Sequence, residues 1–272
     1  MYQEDHVAHQ ENYDWVKAFK EIKELVKGYR YNQKGLITML KDAGIAVPAD
    51  ENPKYTKIPL EQMDPFSFLS LINKFPNVSR RAEFVNKILG KDLLNVEIEN
   101  FSGVPTAHGT AALFFPYKYH RKADDVDLLW NLFECIDDPS KITSQMFQDI
   151  LSIHSVGFSK LTQGLFWYAP ELYLPIDGQT ALYLENVQLP QANKVKNTKT
   201  YSLAWQEYQK CLSEIKQQYS YSFAKLSFDA WVKNGKKYSA IQAIQYLETA
   251  MALLGGPHTF RFLKITKTVK SL

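Results

Sequence analysis

Apolar residues recur every three or four positions along most of this chain, with polar and charged residues between them. This spacing is typical of α-helices that bury one face in a core. The last residues, Phe260–Leu272, alternate apolar and basic side chains instead, which fits a strand, and their end, Lys264–Leu272, fits a disordered tail equally well. Elsewhere the pattern predicts helices on both sides of the turn His154–Gly157 and over Asn12–Gly28, Gln33–Ala43, Phe66–Ile72, Arg80–Lys91, Asp124–Ile136, Gln179–Leu184, Leu203–Ile215, Phe223–Val232 and Ser239–Leu254.

Three stretches without helical spacing separate the predicted helices. Ile45–Pro59 contains three prolines and is predicted to be loop. Val96–His120 combines glycine and proline with a dense aromatic run, so we expect an irregular aromatic loop there. Gln188–Thr200 is polar and predicts a linker. The mostly α fold would then comprise an N-terminal helical hairpin over residues 1–59, a helical core over residues 60–187 and a C-terminal helical extension over residues 188–272.

Several helices have start signals in the sequence. Asp64 precedes Pro65, which predicts an acidic N-cap followed by proline at the first helical position. Ser79 is predicted to cap the basic helix that follows it. Asp124 and Asp125 would place negative charge at the positive end of another helix. A carboxylate pair also suits a metal ion, but no further ligand follows at a suitable spacing, so we expect no metal site.

The turn His154–Gly157 is the first candidate for chemistry. The helix that begins after it has unpaired backbone N–H groups and a positive dipole end, and both suit a phosphate. Ser155 and Ser159 would add hydroxyl groups, and Lys160 a positive charge. The alternative is an ordinary joint between two helices, with Asp177 as the N-cap of the next one.

The run Tyr117–Lys122 alternates aromatic rings with cations, a combination that stacks bases and holds the backbone of a flipped or single-stranded nucleotide. Lys118 and Arg121 are the phosphate contacts predicted in it, and Arg80 and Arg81 on the basic helix are two more. The alternatives are rings buried as loop anchors and an ordinary solvated helix face. A base pocket would draw on Phe115, Tyr117, Trp130, Trp167 and Tyr168.

Composition narrows the class of protein. The 272 residues are 45% hydrophobic and 14% aromatic, which is typical of a globular chain. Because the net charge is only +3, a nucleic-acid surface must arise from local clustering of cations. Cys135 and Cys211 stand apart, so we expect no disulfide framework, zinc site or cofactor. With neither a signal-peptide pattern nor an apolar run long enough to span a membrane, the expected location is the cytoplasm.

The turn and the segment after it resemble the signature of the helix-hairpin-helix DNA glycosylase superfamily. Val156-Gly157 matches the hairpin, and Pro175-Ile176-Asp177 follows in phase, with Asp177 placed 20 residues after Gly157 (177 − 157). Ser155 stands where the superfamily has its first hairpin glycine. Ser159 stands where the lyase members have their nucleophilic lysine, with Lys160 one place late. The resemblance implies the fold more than the chemistry, and it implies a catalytic role for Asp177 if this chain is a glycosylase.

A longer, ordered set of motifs resembles the N-terminal region of McrB-type proteins, the GTP-driven subunits of modification-dependent restriction systems. The matching pieces are Asp64-Pro65-Phe66, Arg80-Arg81, Gly103-Val104-Pro105, Phe114-Phe115, Asp124–Glu134, Gly164–Tyr168, Pro175-Ile176-Asp177 and Leu226–Trp231. This resemblance implies a DNA-reading region that precedes a ring-forming GTPase motor. The chain carries no GxxxxGKS/T motif, so we expect either that region in isolation or a stand-alone relative.

Three functions therefore remain open. The first is a DNA-binding module that recognises a modified base, by base flipping, in a restriction or phage-defence system. Its expected partners are modified double-stranded DNA and, through the McrB-type resemblance, a GTPase motor and a nuclease subunit. The second is a monofunctional glycosylase in which Asp177 stabilises positive charge on the sugar. The third is a protein–protein assembly domain that binds no nucleic acid.

Overall fold

The structure is a computed structural model that describes residues 13–90, 101–109, 111–188, 201–219 and 222–233. The predicted helix Ser239–Leu254, the tail Phe260–Leu272 and all but the first residue of the predicted linker Gln188–Thr200 lie outside the described residues. The chain divides into two compact units, Met1–Ala230 and Trp231–Leu272. The described residues up to Ala230 belong to the first unit.

The predicted mostly α-helical fold is confirmed. The β-structure of the described residues is one short antiparallel hairpin, β1 (Asp50–Glu51) and β2 (Lys57–Ile58), inside the stretch that was predicted to be loop. Residues 101–109 and 111–120 contain neither helix nor strand, as the glycines and prolines predict. The helices are α1 (Asp14–Lys27), α2 (Gln33–Asp42), α3 (Pro65–Asn73), α4 (Val78–Leu89), α5 (Asp125–Glu134), α6 (Ser144–Leu151), α7 (Phe158–Tyr168), α8 (Gly178–Asn186), α9 (Tyr201–Gln218) and α10 (residues 223–233), with a 3-10 turn at Pro139–Lys141.

Helix starts follow local capping chemistry. Asp64 caps α3 as predicted, because its carboxylate accepts a hydrogen bond from the Ser67 N–H. The prediction that Ser79 caps the basic helix was wrong. Asn77 is the N-cap of α4, and its side-chain oxygen accepts from the Arg80 N–H at 3.0 Å. Asparagine satisfies a free N–H there, so the helix begins two residues earlier than predicted.

Helix α7 lies at the centre of the core. It contacts both α1 and α3, and α9 packs along α6 on another side of the unit. From Gly164 to Tyr168 every residue of α7 is buried. One hydrophobic cluster extends from Trp15 to Ala230, within the compact unit Met1–Ala230. None of the described helices is both long and apolar enough to cross a membrane.

Gly164 is the position where α7 approaches its neighbours most closely. A Cβ atom there would lie 2.8 Å from the ring of Phe66 and 3.2 Å from the ring of Phe114. Those two rings are fully buried and stacked at 5.6 Å, so neither has solvent to move into.

We therefore predict that Gly164→Ala fails to stabilise the protein. Alanine in a helix is normally favoured over glycine by about 1 kcal/mol, but overpacking a core costs about 1–3 kcal/mol. The free energy of unfolding, measured by urea denaturation, should stay level or fall by up to about 2 kcal/mol. A rise of about 1 kcal/mol would contradict this close packing.

Candidate functional site

A cleft of about 730 Å³ borders the irregular segment that follows α4. One wall consists of residues 111–120, and the turn between α6 and α7 contributes His154 and Ser155. Leu71 and Lys74 of α3 and the loop 46–48 line the rest. The cleft therefore brings the two candidate regions of the sequence, the aromatic-basic run and the turn, into one place.

Five aromatic side chains form a continuous series beside this cleft, which we call the aromatic row: Tyr55, Tyr117, Tyr119, His120 and His154. The Tyr55 and Tyr119 ring centroids are 5.1 Å apart, and those of Tyr119 and Tyr117 are 5.9 Å apart. From Tyr119 the series continues to His120 at 4.4 Å, and His120 reaches His154 at 5.9 Å. All five are exposed or half-buried, so the row runs over the surface from the β1–β2 turn to the α6–α7 turn.

Arg121 fixes the wall that carries the row. Its guanidinium donates to the Asp50 carboxylate at 2.6 Å, to the Gln62 side chain at 2.8 Å and to the Pro116 carbonyl at 3.1 Å. The guanidinium also lies 4.4 Å from the centre of the Phe115 ring. Its side chain is 7% exposed and that of Asp50 is 3% exposed. The prediction that Arg121 contacts phosphate was wrong, because a buried carboxylate already holds the cation.

Lys118 lies on the same segment but faces the other way. Its backbone N–H donates to the second carboxylate oxygen of Asp50 at 2.8 Å, and its side chain is exposed. Lys118 and Arg121 are only three residues apart, but their side chains differ in exposure. The distant carboxylate of Asp50 binds the side chain of Arg121 but only the backbone of Lys118. The structure thus leaves Lys118 accessible to a phosphate.

The turn between α6 and α7 presents an uncapped helix start. Gly157 is the N-cap of α7 and has no side chain to accept the N–H groups of the first turn. Its backbone is extended, with φ of −101°, and no described atom lies within 4 Å of the position that a Cβ atom would occupy. Neither strain nor crowding within the described residues requires glycine here. Ser159, in contrast, donates its hydroxyl to the Ile176 carbonyl at 2.9 Å.

Lys160 points into the protein, so the prediction that it contacts DNA was wrong. Its ammonium group donates to the carbonyls of Leu113 and Ser155 and lies 4.8 Å from the Phe114 ring centre. Burial lowers the pKa of Lys160 to about 8, against the attraction of the buried Asp64 carboxylate. Lys160 thereby joins the α6–α7 turn to the cleft wall.

The two arginines of the basic helix α4 also differ in exposure. Arg81 is buried, donates to the Val104 carbonyl at 3.1 Å, and has its pKa lowered by burial to about 10. It is therefore a structural residue, and the prediction of a DNA contact was wrong. Arg80 is exposed, with its guanidinium 4.8 Å from the Phe75 ring centre and 5.5 Å from that of Phe84.

Three of the five predicted pocket residues lie in the core. Trp130, Trp167 and Tyr168 are 0–1% exposed. Each satisfies its polar atom with a backbone carbonyl, of Met63, Pro105 and Pro65 respectively. These rings offer no face to a base, so their assignment to a pocket was wrong. The other two, Phe115 and Tyr117, line the cleft, but only Tyr117 is exposed, because Phe115 is nearly as buried as the three core rings.

Asp177 caps α8, as one of the two alternatives predicted. One carboxylate oxygen accepts from the Thr180 N–H at 2.9 Å, and the other accepts from the Gln163 side chain at 3.0 Å. Asp177 is not among the described residues that line the cleft. The described residues also contain no group of three or more side chains suited to a metal ion.

Two residues of the site were not predicted from the sequence: Asp50 and Tyr55. Tyr55 and Asp50 belong to a stretch that was predicted to be a plain loop. A signal was present in Asn52-Pro53, a pair that favours turns. Arg121, the partner of Asp50, is 71 residues away along the chain, and no local sequence pattern predicts such a pair.

We predict opposite consequences for the two cations of this segment. Arg121→Ala would leave Asp50 buried without its cation, which typically costs about 3–5 kcal/mol of folding stability. Lys118→Ala should change stability by less than about 0.5 kcal/mol. If DNA binds here, Lys118→Ala should also lower the slope of log affinity against log salt by about one unit. Urea denaturation that finds Arg121→Ala as stable as the native protein would contradict the buried ion pair.

Comparison with known proteins gives a family but no activity. No curated protein and no solved structure matches the chain. A family model described as "Domain of unknown function (DUF8425)" matches residues 15–233, which include the whole aromatic row and the α6–α7 turn. The chain belongs to this family of unknown function.

Proposed function

We propose that this protein binds double-stranded DNA across the aromatic row and the α6–α7 turn, and that it recognises a modified base flipped into the cleft. The observation that carries the proposal is the continuity of the row. Five exposed or half-buried rings connect a projecting β-turn to an uncapped helix start beside one cleft. Rings stack on bases, and free N–H groups at a helix start bind phosphate, so the surface offers both contacts that a flipped nucleotide needs.

The fold itself does not require a glycine in the α6–α7 turn, whereas a phosphate bound there would. Gly157 is exposed and extended, and its missing Cβ leaves room in front of the first N–H groups of α7. Close approach of the backbone to a ligand is a common use of glycine. The resemblance to helix-hairpin-helix proteins supports the same assignment.

Exposed lysines lie close in sequence to two rings of the aromatic row, Tyr55 and Tyr119. Lys54 and Lys57 flank Tyr55, and Lys118 and Lys122 lie within three residues of Tyr119. Such clustering supplies locally the positive charge that a net charge of +3 cannot supply overall. Salt-dependent binding of the phosphate backbone is the expected result.

The cleft is large enough to enclose a base, which a flat contact surface could not do. Its volume of about 730 Å³ lies within the roughly 300–1,000 Å³ of small-molecule sites. It would hold a base together with a substituent. Each base that stacks on an aromatic ring contributes about 1–3 kcal/mol to binding.

The proposal is for recognition without excision. Asp177, the group that a glycosylase assignment would use, is engaged in hydrogen bonds from Gln163 and Thr180 within the protein. The McrB-type resemblance supports a role in restriction or phage defence, beside a GTPase motor and a nuclease subunit in the cytoplasm. These partners and this location stay predictions.

The direct test is a binding and base-release assay on duplexes with plain, methylated, hydroxymethylated or glucosylated cytosine. We expect at least one modified duplex to bind at least about tenfold more tightly than the plain one, a difference of roughly 1.4 kcal/mol. Alkali treatment should reveal no abasic sites. Equal affinity for all four duplexes would contradict modified-base recognition, absence of binding would favour the assembly-domain alternative, and abasic sites would favour the glycosylase.

A second prediction concerns a substitution of Gly157 that should raise the stability of the protein and lower its affinity for DNA. Its backbone conformation is that of a good N-cap, so Gly157→Asp should raise the free energy of unfolding by a few tenths of a kcal/mol, about the difference between glycine and aspartate at an N-cap. The same carboxylate would occupy the phosphate position, and DNA affinity should fall by at least about tenfold.

The matched control for Gly157→Asp is Thr38→Asp, which adds the same charge at an exposed position on α2. It should reduce DNA affinity far less. If Gly157→Asp binds DNA as tightly as Thr38→Asp does, the α6–α7 turn is not a phosphate site.

A further inference from the structure

Tyr55 has an unusual backbone conformation, and its side chain is unusually exposed for so large a residue. Its φ is +58°, in the left-handed region that bulky residues rarely adopt. Its side chain is 74% exposed, and its described ring contact is with Tyr119, which joins it to the aromatic row. The ring therefore buries little surface that would compensate for the strained backbone.

Asn52 holds the turn in this strained shape. Its side-chain oxygen accepts from the N–H groups of Lys54 at 2.9 Å and Thr56 at 3.1 Å. The Asn52 carbonyl accepts from the Tyr55 N–H at 2.8 Å, and the Asn52 N–H donates to the Thr56 carbonyl at 3.1 Å. These four hydrogen bonds fix the tip, so Tyr55 projects from a rigid turn.

The base of the turn is equally well fixed. Asp50 in β1 accepts from Arg121 and from the Lys118 N–H, which lie on the cleft wall. Hydrogen bonds therefore tie the base of the turn to the segment that carries Tyr117, Tyr119 and His120. A strained, rigidly supported and exposed residue is a recurrent feature of functional sites.

We propose that Tyr55 inserts into the DNA duplex and stacks in the space that the flipped base leaves. This inference rests on the proposed function and adds the residue that stabilises the opened duplex. Extrusion of a base costs its stacking energy, and an inserted side chain recovers part of that cost. Lys54 and Lys57 flank the ring in the sequence and are exposed, which suits the phosphates on either side of an insertion point.

The experiment compares two duplexes that differ in the cost of extrusion. The first is the tightest-binding duplex of the plain, methylated, hydroxymethylated and glucosylated set. The second is the same duplex with the read base opposite an abasic site, so that no base pair has to break. Tyr55→Ala should weaken binding of the first duplex by at least tenfold and of the second by a clearly smaller factor. Tyr55→Phe, which keeps the ring, should bind both as the native protein does.

Tyr31 provides the matched control, because it is 97% exposed in the turn that follows α1. Tyr31→Ala should bind both duplexes as the native protein does. Tyr55→Gly should raise the midpoint of thermal unfolding by relieving the positive φ, while it weakens binding as alanine does. A gain in stability together with a loss of affinity is the signature expected of strain kept for function.

The outcomes separate the inference from the function on which it rests. If the native protein binds no duplex of the set, the proposed function fails. If the native protein binds but Tyr55→Ala behaves like Tyr31→Ala, only the inserted tyrosine is overturned. Equal losses on both duplexes would make Tyr55 an ordinary surface contact and would also overturn the insertion.

Discussion

The buried ion pair between Asp50 and Arg121 organises the whole candidate surface. Burial of two charges costs several kcal/mol for each ion unless their hydrogen bonds are satisfied. Here the guanidinium has three acceptors, and the carboxylate also accepts from the N–H groups of Glu51 and Lys118. The pair thus ties the β1–β2 turn to a segment 71 residues further along the chain.

Lys160 makes the corresponding connection at the other end of the aromatic row. Its ammonium group binds a carbonyl of the cleft wall and a carbonyl of the α6–α7 turn. A half-buried lysine and a buried ion pair therefore hold the two ends of one surface. Because contacts hold both ends, the rings between them form a preformed surface, and such a surface loses little conformational entropy on binding.

Local features of this structure were predictable from the sequence. Apolar spacing predicted the helices of the described residues to within a few positions, and Asp64 and Asp177 act as N-caps because capping needs only the next three residues. The turn between α6 and α7 was found for the same reason. Its surroundings were not, since the wall beside it comes from residues more than 30 positions away.

The direction of each cation and ring was not predictable in the same way. Lys118 and Arg121 both carry a positive charge, yet one is exposed and the other is buried against a distant carboxylate. Trp130 and Trp167 can be fully buried because backbone carbonyls of distant segments accept their indole N–H groups. Motif spacing says which residues share a region, whereas burial depends on partners that only the folded chain supplies.

Hydrogen–deuterium exchange with and without modified DNA tests the central claim that one continuous surface binds the duplex. Exchange reports which backbone amides become protected. We predict simultaneous protection of three segments, residues 52–57, 117–122 and 154–160, with no change in α2. Protection confined to one of these segments, or protection that appears in α2 and leaves all three unchanged, would contradict a single DNA-binding surface along the aromatic row.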